Sequence, residues 1–155
     1  MIKIFTDGAA KGNPGPGGYG VILDYQGKRK ELFEGFRMTT NNRMELLAVI
    51  KGLESIKKDG WDVLVVSDSK YVVDAVEKGW LTNWVKKDFK GKKNRDLWER
   101  FLKSFYRHRV KFKWIKGHAG HPENERCDEL AVAGAELQTF EQSIDAVFEK
   151  EQGSS

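Results

Sequence analysis

The period of the apolar residues changes once along this chain, and that change limits the folds open to it. Three runs in the first 38 residues, 2–7, 19–25 and 30–38, carry the β-branched, aromatic and alternating character of strands. The link Gln26-Gly27-Lys28-Arg29 between the last two reads as a hairpin turn. From Asn42 onward the spacing becomes helical: Leu46, Val49, Ile50, Leu53 and Ile56 form one stripe, which stops before Asp59-Gly60. Residues 63–67 are a short continuous apolar run, the pattern of a strand buried on both faces. A helix over about 69–77 follows, then an irregular basic stretch over 80–93 with a short helix near 81–84. Next come a helix marked by Leu97, Trp98, Phe101, Leu102 and Phe105, a strand over 110–115, and a helix from about Glu123 to Ala135. The order βββαβα(α)αβα predicts an α/β fold, an antiparallel meander continued by βα units into a mixed sheet with helices on its faces. In such sheets, sites form beyond strand ends where the strand order reverses.

At 155 residues the chain reads as one domain over 1–135. An amphipathic segment over 136–151 carries Phe140, Ile144, Val147 and Phe148, read as a helix capping the same core. Residues 152–155 read as a disordered tail. No apolar run is long enough to span a bilayer, and the N-terminus, which opens directly with a strand, is expected to carry no signal peptide. A single cysteine rules out an internal disulfide. The expectation is a cytoplasmic protein, monomeric and not associated with membrane.

Between Asp7 and Gly20 the chain holds six glycines and two of its three prolines, and 15–20 satisfies G-x-G-x-x-G. A dinucleotide cradle requires those glycines to open a helix. Here they run into Tyr19-Gly-Val-Ile-Leu-Asp-Tyr25, a strand signal. No correctly spaced glycine-lysine-serine or threonine pattern supports a P-loop either. The stretch is read as a broad turn that leaves Asp7 at the end of a strand and lets other backbone approach closely.

The net charge of +4 conceals an asymmetry. Residues 84–116 hold thirteen Lys and Arg against three acids, whereas 136–155 hold five acids and one lysine. A basic segment interleaved with Trp84, Phe89 and Trp98 fits a nucleic-acid surface, with a solvated charged helix face as the alternative.

Four acids are singled out by position: Asp7 and Asp68 end strands, Glu45 faces the sheet from the first turn of a helix, and Asp128 lies in the helix after the His118–His121 loop. Each has a local reading as well, Glu45 in a capping box with Asn42 and Asp68 as a helix cap. Together they predict a cluster that needs a divalent cation, since crowded carboxylates raise one another's pKa. Oxygen ligands favour magnesium or manganese over zinc. Cys127 beside His118 and His121 lacks paired zinc spacing and reads as a small buried thiol.

The motifs TDGAAKGNPGPGGYG, TTNNRMELLAVIKGLE, SDSKYV, GWLTNW, NRDLW and KGHAGHPENERCDELA, in this order, resemble the bacterial form of type 1 ribonuclease H over about residues 2–135. The resemblance implies a five-stranded mixed sheet of order 3-2-1-4-5 with helices on both faces. It implies hydrolysis of the RNA strand of RNA–DNA hybrids with two Mg²⁺ ions, replaceable by Mn²⁺, about 4 Å apart at the scissile phosphate. By position, Asp7, Glu45, Asp68 and Asp128 match the metal-binding catalytic acids, and His118 matches a catalytic-loop histidine. Asn13, Asn41 and Asn42 match hybrid contacts near the active site. Thr40, Arg43 and Asn94 match positions that bind DNA-strand phosphates; Trp80 and Trp98 match aromatics of the DNA channel; Lys86 and Lys87 belong to the basic protrusion. That protrusion is a few residues shorter here, Lys70 stands where a glutamine is common, and the segment after Ala135 has no clear match. The alternatives are a non-catalytic hybrid-binding module or another nuclease of the same fold.

Overall fold

A computed structural model describes residues 1–153. Five strands, β1 (Ile2–Ala10), β2 (Gly15–Tyr25), β3 (Lys28–Thr39), β4 (Asp62–Ser67) and β5 (Arg109–Trp114), form one sheet of order β3-β2-β1-β4-β5. The first three are an antiparallel meander; β1–β4 and β4–β5 pair in parallel. The helices are α1 (Asn41–Glu54), α2 (Lys70–Glu77), α3 (Trp80–Lys86), α4 (Arg95–Phe105), α5 (Pro122–Ala135) and α6 (Ala146–Gly153). Among the described residues no helix is long and apolar enough to cross a membrane.

Alternation along β1 explains the two-faced core. Ile2, Ile4, Val63 and Val65 sit with Met44, Leu46, Val49, Ile50 and Leu53 of α1 and with Trp98 and Phe101 of α4 in one cluster. The opposite face is covered by α5, whose contacts fall on β1, β2 and β3.

The glycine stretch is not the broad turn its composition suggests. β1 runs on to Ala10 and β2 begins at Gly15, so only residues 11–14 connect them. Close helix approach, not turn geometry, demands three of its six glycines, Gly8 under α1 and Gly18 and Gly20 under α5, and Gly35 of β3 likewise. A Cβ on Gly18 would lie 2.3 Å from the Ala131 carbonyl oxygen, one on Gly20 2.3 Å from that of Cys127, and one on Gly35 1.9 Å from that of Gly134. The hairpin between β2 and β3 is also tighter than expected. Gln26 and Gly27 alone form it, both at positive φ (52° and 83°), as a two-residue turn matched to strand twist requires.

Two helix starts differ from expectation. Thr40 caps α1 by accepting from the Arg43 amide at 3.2 Å, which leaves Glu45 without a capping role. Ser69, not Asp68, caps α2. At the C-terminus, the expected amphipathic helix over 136–151 is broken. A 3₁₀ turn (Thr139–Glu141) precedes a short pairing of Ser143 with Phe36 on the β3 edge, and only then does α6 begin. Of the four apolar residues that defined the pattern, Phe140 is 87% exposed and Ile144 and Val147 are exposed, whereas Phe148 is buried. Residues 152 and 153, expected in a disordered tail, end α6, and 154–155 lie outside the described residues.

Candidate active site

The parallel ladder between β1 and β4 ends at Thr6 and Ser67, so Asp7 and Asp68 are the first residues past it on adjacent central strands. Beyond that point β1 pairs only with β2. A crevice opens there, at the reversal of strand order.

Gly8 brings the third acid in. A Cβ at Gly8 would lie 2.4 Å from the Glu45 amide nitrogen, so its hydrogen lets the first turn of α1 settle on β1. Because Gly8 faces α1, its neighbour Asp7 belongs to the other face, under α5, and Glu45 meets it from above. Carboxylate oxygens of Asp7, Glu45 and Asp68 all lie within 4.8 Å of one another. Asp7 and Glu45 are buried and Asp68 is half-buried. Asp128, on α5, stands outside this trio but near enough for its charge to act on Asp7.

The electrostatics of the trio are those of a cation site. Burial first, and the charge of Asp68 second, push the Asp7 carboxyl up to about 8. Burial, with Asp7 and Asp68 next, raises Glu45 well above the usual carboxylate range. The Asp7 Oδ1 accepts from the Gly8 amide at 2.9 Å, but the buried Glu45 Oε1 has no hydrogen-bond partner. An orphaned buried carboxylate oxygen within a set of oxygen-only donors fits a hard divalent cation. Cys127 is the small buried thiol expected of it: it is fully buried, its Sγ lies 3.3 Å from the Phe5 carbonyl oxygen, and desolvation drives its pKa up.

His118 is exposed on the loop between β5 and α5, in a left-handed conformation (φ 57°). The loop passes against the acids, for a Cβ on Gly117 would lie 2.6 Å from Asp68 Oδ2. His121 ends that loop as the N-cap residue of α5.

Asn13, Thr40, Asn42 and Asn94 line one cleft of about 340 Å³ together with Pro14, Lys93 and, from α6, Phe148, Glu151 and Gln152. Asn41 is tied to its rim by donating its backbone N–H to Asn13 Oδ1 at 2.9 Å. Among the described residues its lining is largely polar, with one lysine, Lys93, and one acid, Glu151.

Two expected contacts are not available to a ligand. Arg43, read as a phosphate-binding residue, is 1% exposed. Its guanidinium donates to both carboxylate oxygens of Asp145 and of Asp96, with Asn94 Oδ1 at 3.3 Å, so it braces the cleft from beneath. Trp98, read as a channel aromatic, is fully buried, its Nε1 donating to the Tyr71 hydroxyl at 2.9 Å. Trp80 remains 43% exposed, with the Lys78 ammonium 5.5 Å from its ring centre. Lys86 and Lys87 are exposed at the end of α3. The charge excess of 84–116 is smaller than its composition indicates. Arg95, Arg100, Arg107 and Arg109 each pair with a carboxylate, which leaves the lysines to present the positive surface.

A 3-2-1-4-5 mixed sheet with helices on both faces and acids gathered past its central strands defines the ribonuclease H-like class of proteins. Comparison with known proteins narrows this. The family model for RNase H matches residues 1–136. The chain is 60% identical over 139 residues to a ribonuclease H of Desulforamulus reducens, covering 86% of this chain and 87% of that one. It is 50% identical over 146 residues to a ribonuclease H of Escherichia coli, covering 91% and 93%. Among solved structures it is similar to LC9-RNase H1, a type 1 RNase H with the type 2 active-site motif (TM-score 0.77, 31% identity, 86% of this chain and 71% of that chain). It is also similar to LC11-RNase H1 in complex with an RNA/DNA hybrid (TM-score 0.64, 27% identity, 87% and 96%). The chain belongs to the RNase H family.

Proposed function

We propose that this chain is an endoribonuclease that hydrolyses the RNA strand of RNA–DNA hybrids by two-metal-ion catalysis, leaving 5′-phosphate and 3′-hydroxyl ends. The observation that carries the reading is the convergence of Asp7, Glu45 and Asp68 to within 4.8 Å in a chain 50–60% identical to ribonucleases H. The hybrid as substrate is supported by the hybrid-bound LC11 structure. Magnesium is the metal best suited to this oxygen-only set, with manganese able to replace it. The enzyme acts as a cytoplasmic monomer in this reading.

Asp7, Glu45 and Asp68 hold the metal, with Asp128 completing the set from α5. Bound there, divalent ions supply an acidified water and neutralise charge on the phosphate and the leaving oxygen. Asp7 is the least replaceable holder in this reading, since it couples to all three other acids, Asp68, Glu45 and Asp128. Glu45 is positioned to accept from a ribose 2′-hydroxyl, which ties the chemistry to RNA. His118, exposed on a loop that brushes Asp68, takes or returns a proton at the mouth of the site.

Selectivity divides between two surfaces. Asn13, Asn41 and Asn42 read the strand that carries 2′-hydroxyls. Thr40, Lys93 and Asn94 take a phosphate of the DNA strand, and Trp80 with Lys86 and Lys87 extends that track. Arg43 and Trp98 hold these groups in place from the interior. Backbone contacts of this kind give affinity with little sequence preference and a steep salt dependence.

The test is Asp7→Asn. Removing a metal-holding carboxylate forfeits several kcal/mol of transition-state stabilisation, about 1000-fold or more in kcat at about 1.4 kcal/mol per tenfold. Hybrid affinity measured by fluorescence anisotropy is expected to change little. Full turnover in the variant would overturn the reading.

A further inference from the structure

The C-terminal segment, beyond the residues matched by the family model, ends inside the cleft that Thr40, Lys93 and Asn94 offer to a DNA-strand phosphate. Glu151 and Gln152 of α6 line that cleft with them. The charge found there does not favour an anion. Arg43, reaching Asn94 from beneath, and Lys93 bring positive charge. Asp96 and Asp145 already hold the Arg43 guanidinium, and Glu151 adds another acid. Asp145 and Glu151 both come from the C-terminal segment. Without them Arg43 and Lys93 would outweigh Asp96; with them the acids outweigh the cations. The segment therefore reverses the sign of the charge that an approaching phosphate meets.

The segment is fastened firmly at one end and loosely at the other. Asp145 is buried in its pair with Arg43, and Phe148 is buried a turn further on. Beyond Phe148, Glu149 reaches Arg37 in an exposed bridge, of a kind that contributes little. Glu151 and Gln152 are exposed. At eight residues α6 is too short to be a firm helix without packing. Its last turn can lift away while Asp145 and Phe148 keep the segment attached. A carboxylate is an anionic acceptor, as a phosphate oxygen is, so a lysine and hydroxyl or amide donors that suit one suit the other.

We propose that α6 is an autoinhibitory strap: the Glu151 carboxylate stands in the place of a DNA-strand phosphate in the resting enzyme, and the hybrid binds by displacing it. The inference rests on the reading of this cleft as a phosphate site of an enzyme that cuts hybrids. A hybrid, which also engages the acids and the 2′-hydroxyl contacts, overcomes the strap. Duplex DNA, which lacks 2′-hydroxyls, meets the same opposition with fewer contacts to offset it.

The experiment is fluorescence anisotropy of a labelled RNA–DNA hybrid with wild type, Glu151→Gln and Glu141→Gln, with metal chelated so that nothing is cut. It is repeated on hybrids in which single DNA-strand phosphates are replaced by uncharged methylphosphonates. Glu141→Gln makes the same change of net charge on the exposed 3₁₀ turn, outside the cleft. Glu151→Gln is expected to tighten binding about 3- to 5-fold, and Glu141→Gln by less than about 1.5-fold, since salt screens a distant charge. At one methylphosphonate position the advantage of Glu151→Gln should disappear, because the linkage there carries no charge for the acid to oppose. Unchanged or weaker binding by Glu151→Gln, an equal gain in Glu141→Gln, or an advantage that survives at every methylphosphonate position would overturn the proposal. Wild type is assayed for hydrolysis of the same hybrid in magnesium. Failure to cut it would instead overturn the functional reading itself.

Discussion

Arg43 and Asp145 form a two-pronged ion pair across 102 residues of chain, Nε to Oδ2 at 2.7 Å and Nη2 to Oδ1 at 2.8 Å. Thr39 donates its hydroxyl to the same Asp145 Oδ2 at 2.7 Å. The C-terminal segment is therefore fastened to the first turn of α1, two residues from Glu45, by charge as well as by Phe148. It is also attached to the β3 edge, to the end of α5 through Gln142, and through the exposed Arg37–Glu149 bridge.

Breaking a buried pair strands the remaining charge, at about 3–5 kcal/mol. Asp145→Ala is thus expected to lower unfolding free energy by about 3 kcal/mol, somewhat relieved by Asp96, which retains its hold on Arg43. Arg37→Ala, which opens an exposed bridge, should cost under about 1 kcal/mol. Urea denaturation of both variants checks the contrast, and equal effects would contradict it.

Glycine substitutions separate close approach from backbone conformation. Gly35→Ala forces a methyl into the Gly134 backbone and is expected to cost about 3 kcal/mol or more. Gly27→Ala meets nothing within 4 Å, though its φ of 83° is unfavourable, and should cost about 1 kcal/mol. Thermal unfolding of the two side by side is the measurement.

The Asp7 carboxyl titrates at about 8 in the folded chain against an ordinary 3.8. The folded state holds this proton more tightly than the unfolded state does. The resulting stability is complete below about pH 4 and is lost as pH rises through about 8. Metal-free protein should therefore lose stability across that window. Asp7→Asn should flatten the curve and be the more stable form at pH 8, where Mg²⁺ is expected to raise the melting temperature of wild type alone. Parallel curves for the two proteins would refute this.

Trp80 and Trp98 should behave oppositely. Trp98→Ala empties a fully buried site beside Trp84 and Phe101 and is expected to cost about 3–5 kcal/mol. Trp80→Ala should leave melting nearly unchanged and weaken hybrid binding, by about 1–2 kcal/mol in anisotropy titrations.

The fold order and the acid trio were legible because they rest on short-range signals. Periodicity marks each element, and strand-end acids such as Asp7 and Asp68 announce themselves by position. What stayed hidden depends on distant partners. The glycines of β2 read as turn formers because nothing local shows that α5 will lie against them. Trp98 and Trp80 are the same residue type in similarly basic surroundings, and only the packing of α4 on α1 buries one of them. Arg43 has no neighbouring acid in sequence; Asp96 and Asp145 lie 53 and 102 residues away. Within the C-terminal segment the apolar pattern drew attention to Phe140 and Ile144, while the residue that anchors it is the polar Asp145. Gly8 and Gly117, which bring α1 and the His118 loop against the acids, carry a signal only as small residues flanking the acid or histidine of a motif.

The most direct measurement of the central claim is cleavage of three matched labelled duplexes, RNA–DNA, RNA–RNA and DNA–DNA, with magnesium and with the metal chelated. The predicted result is cutting of the RNA strand of the hybrid alone, in magnesium alone, to 5′-phosphate and 3′-hydroxyl products. Equal cutting of all three duplexes, or hybrid cutting that persists in chelator, would contradict it.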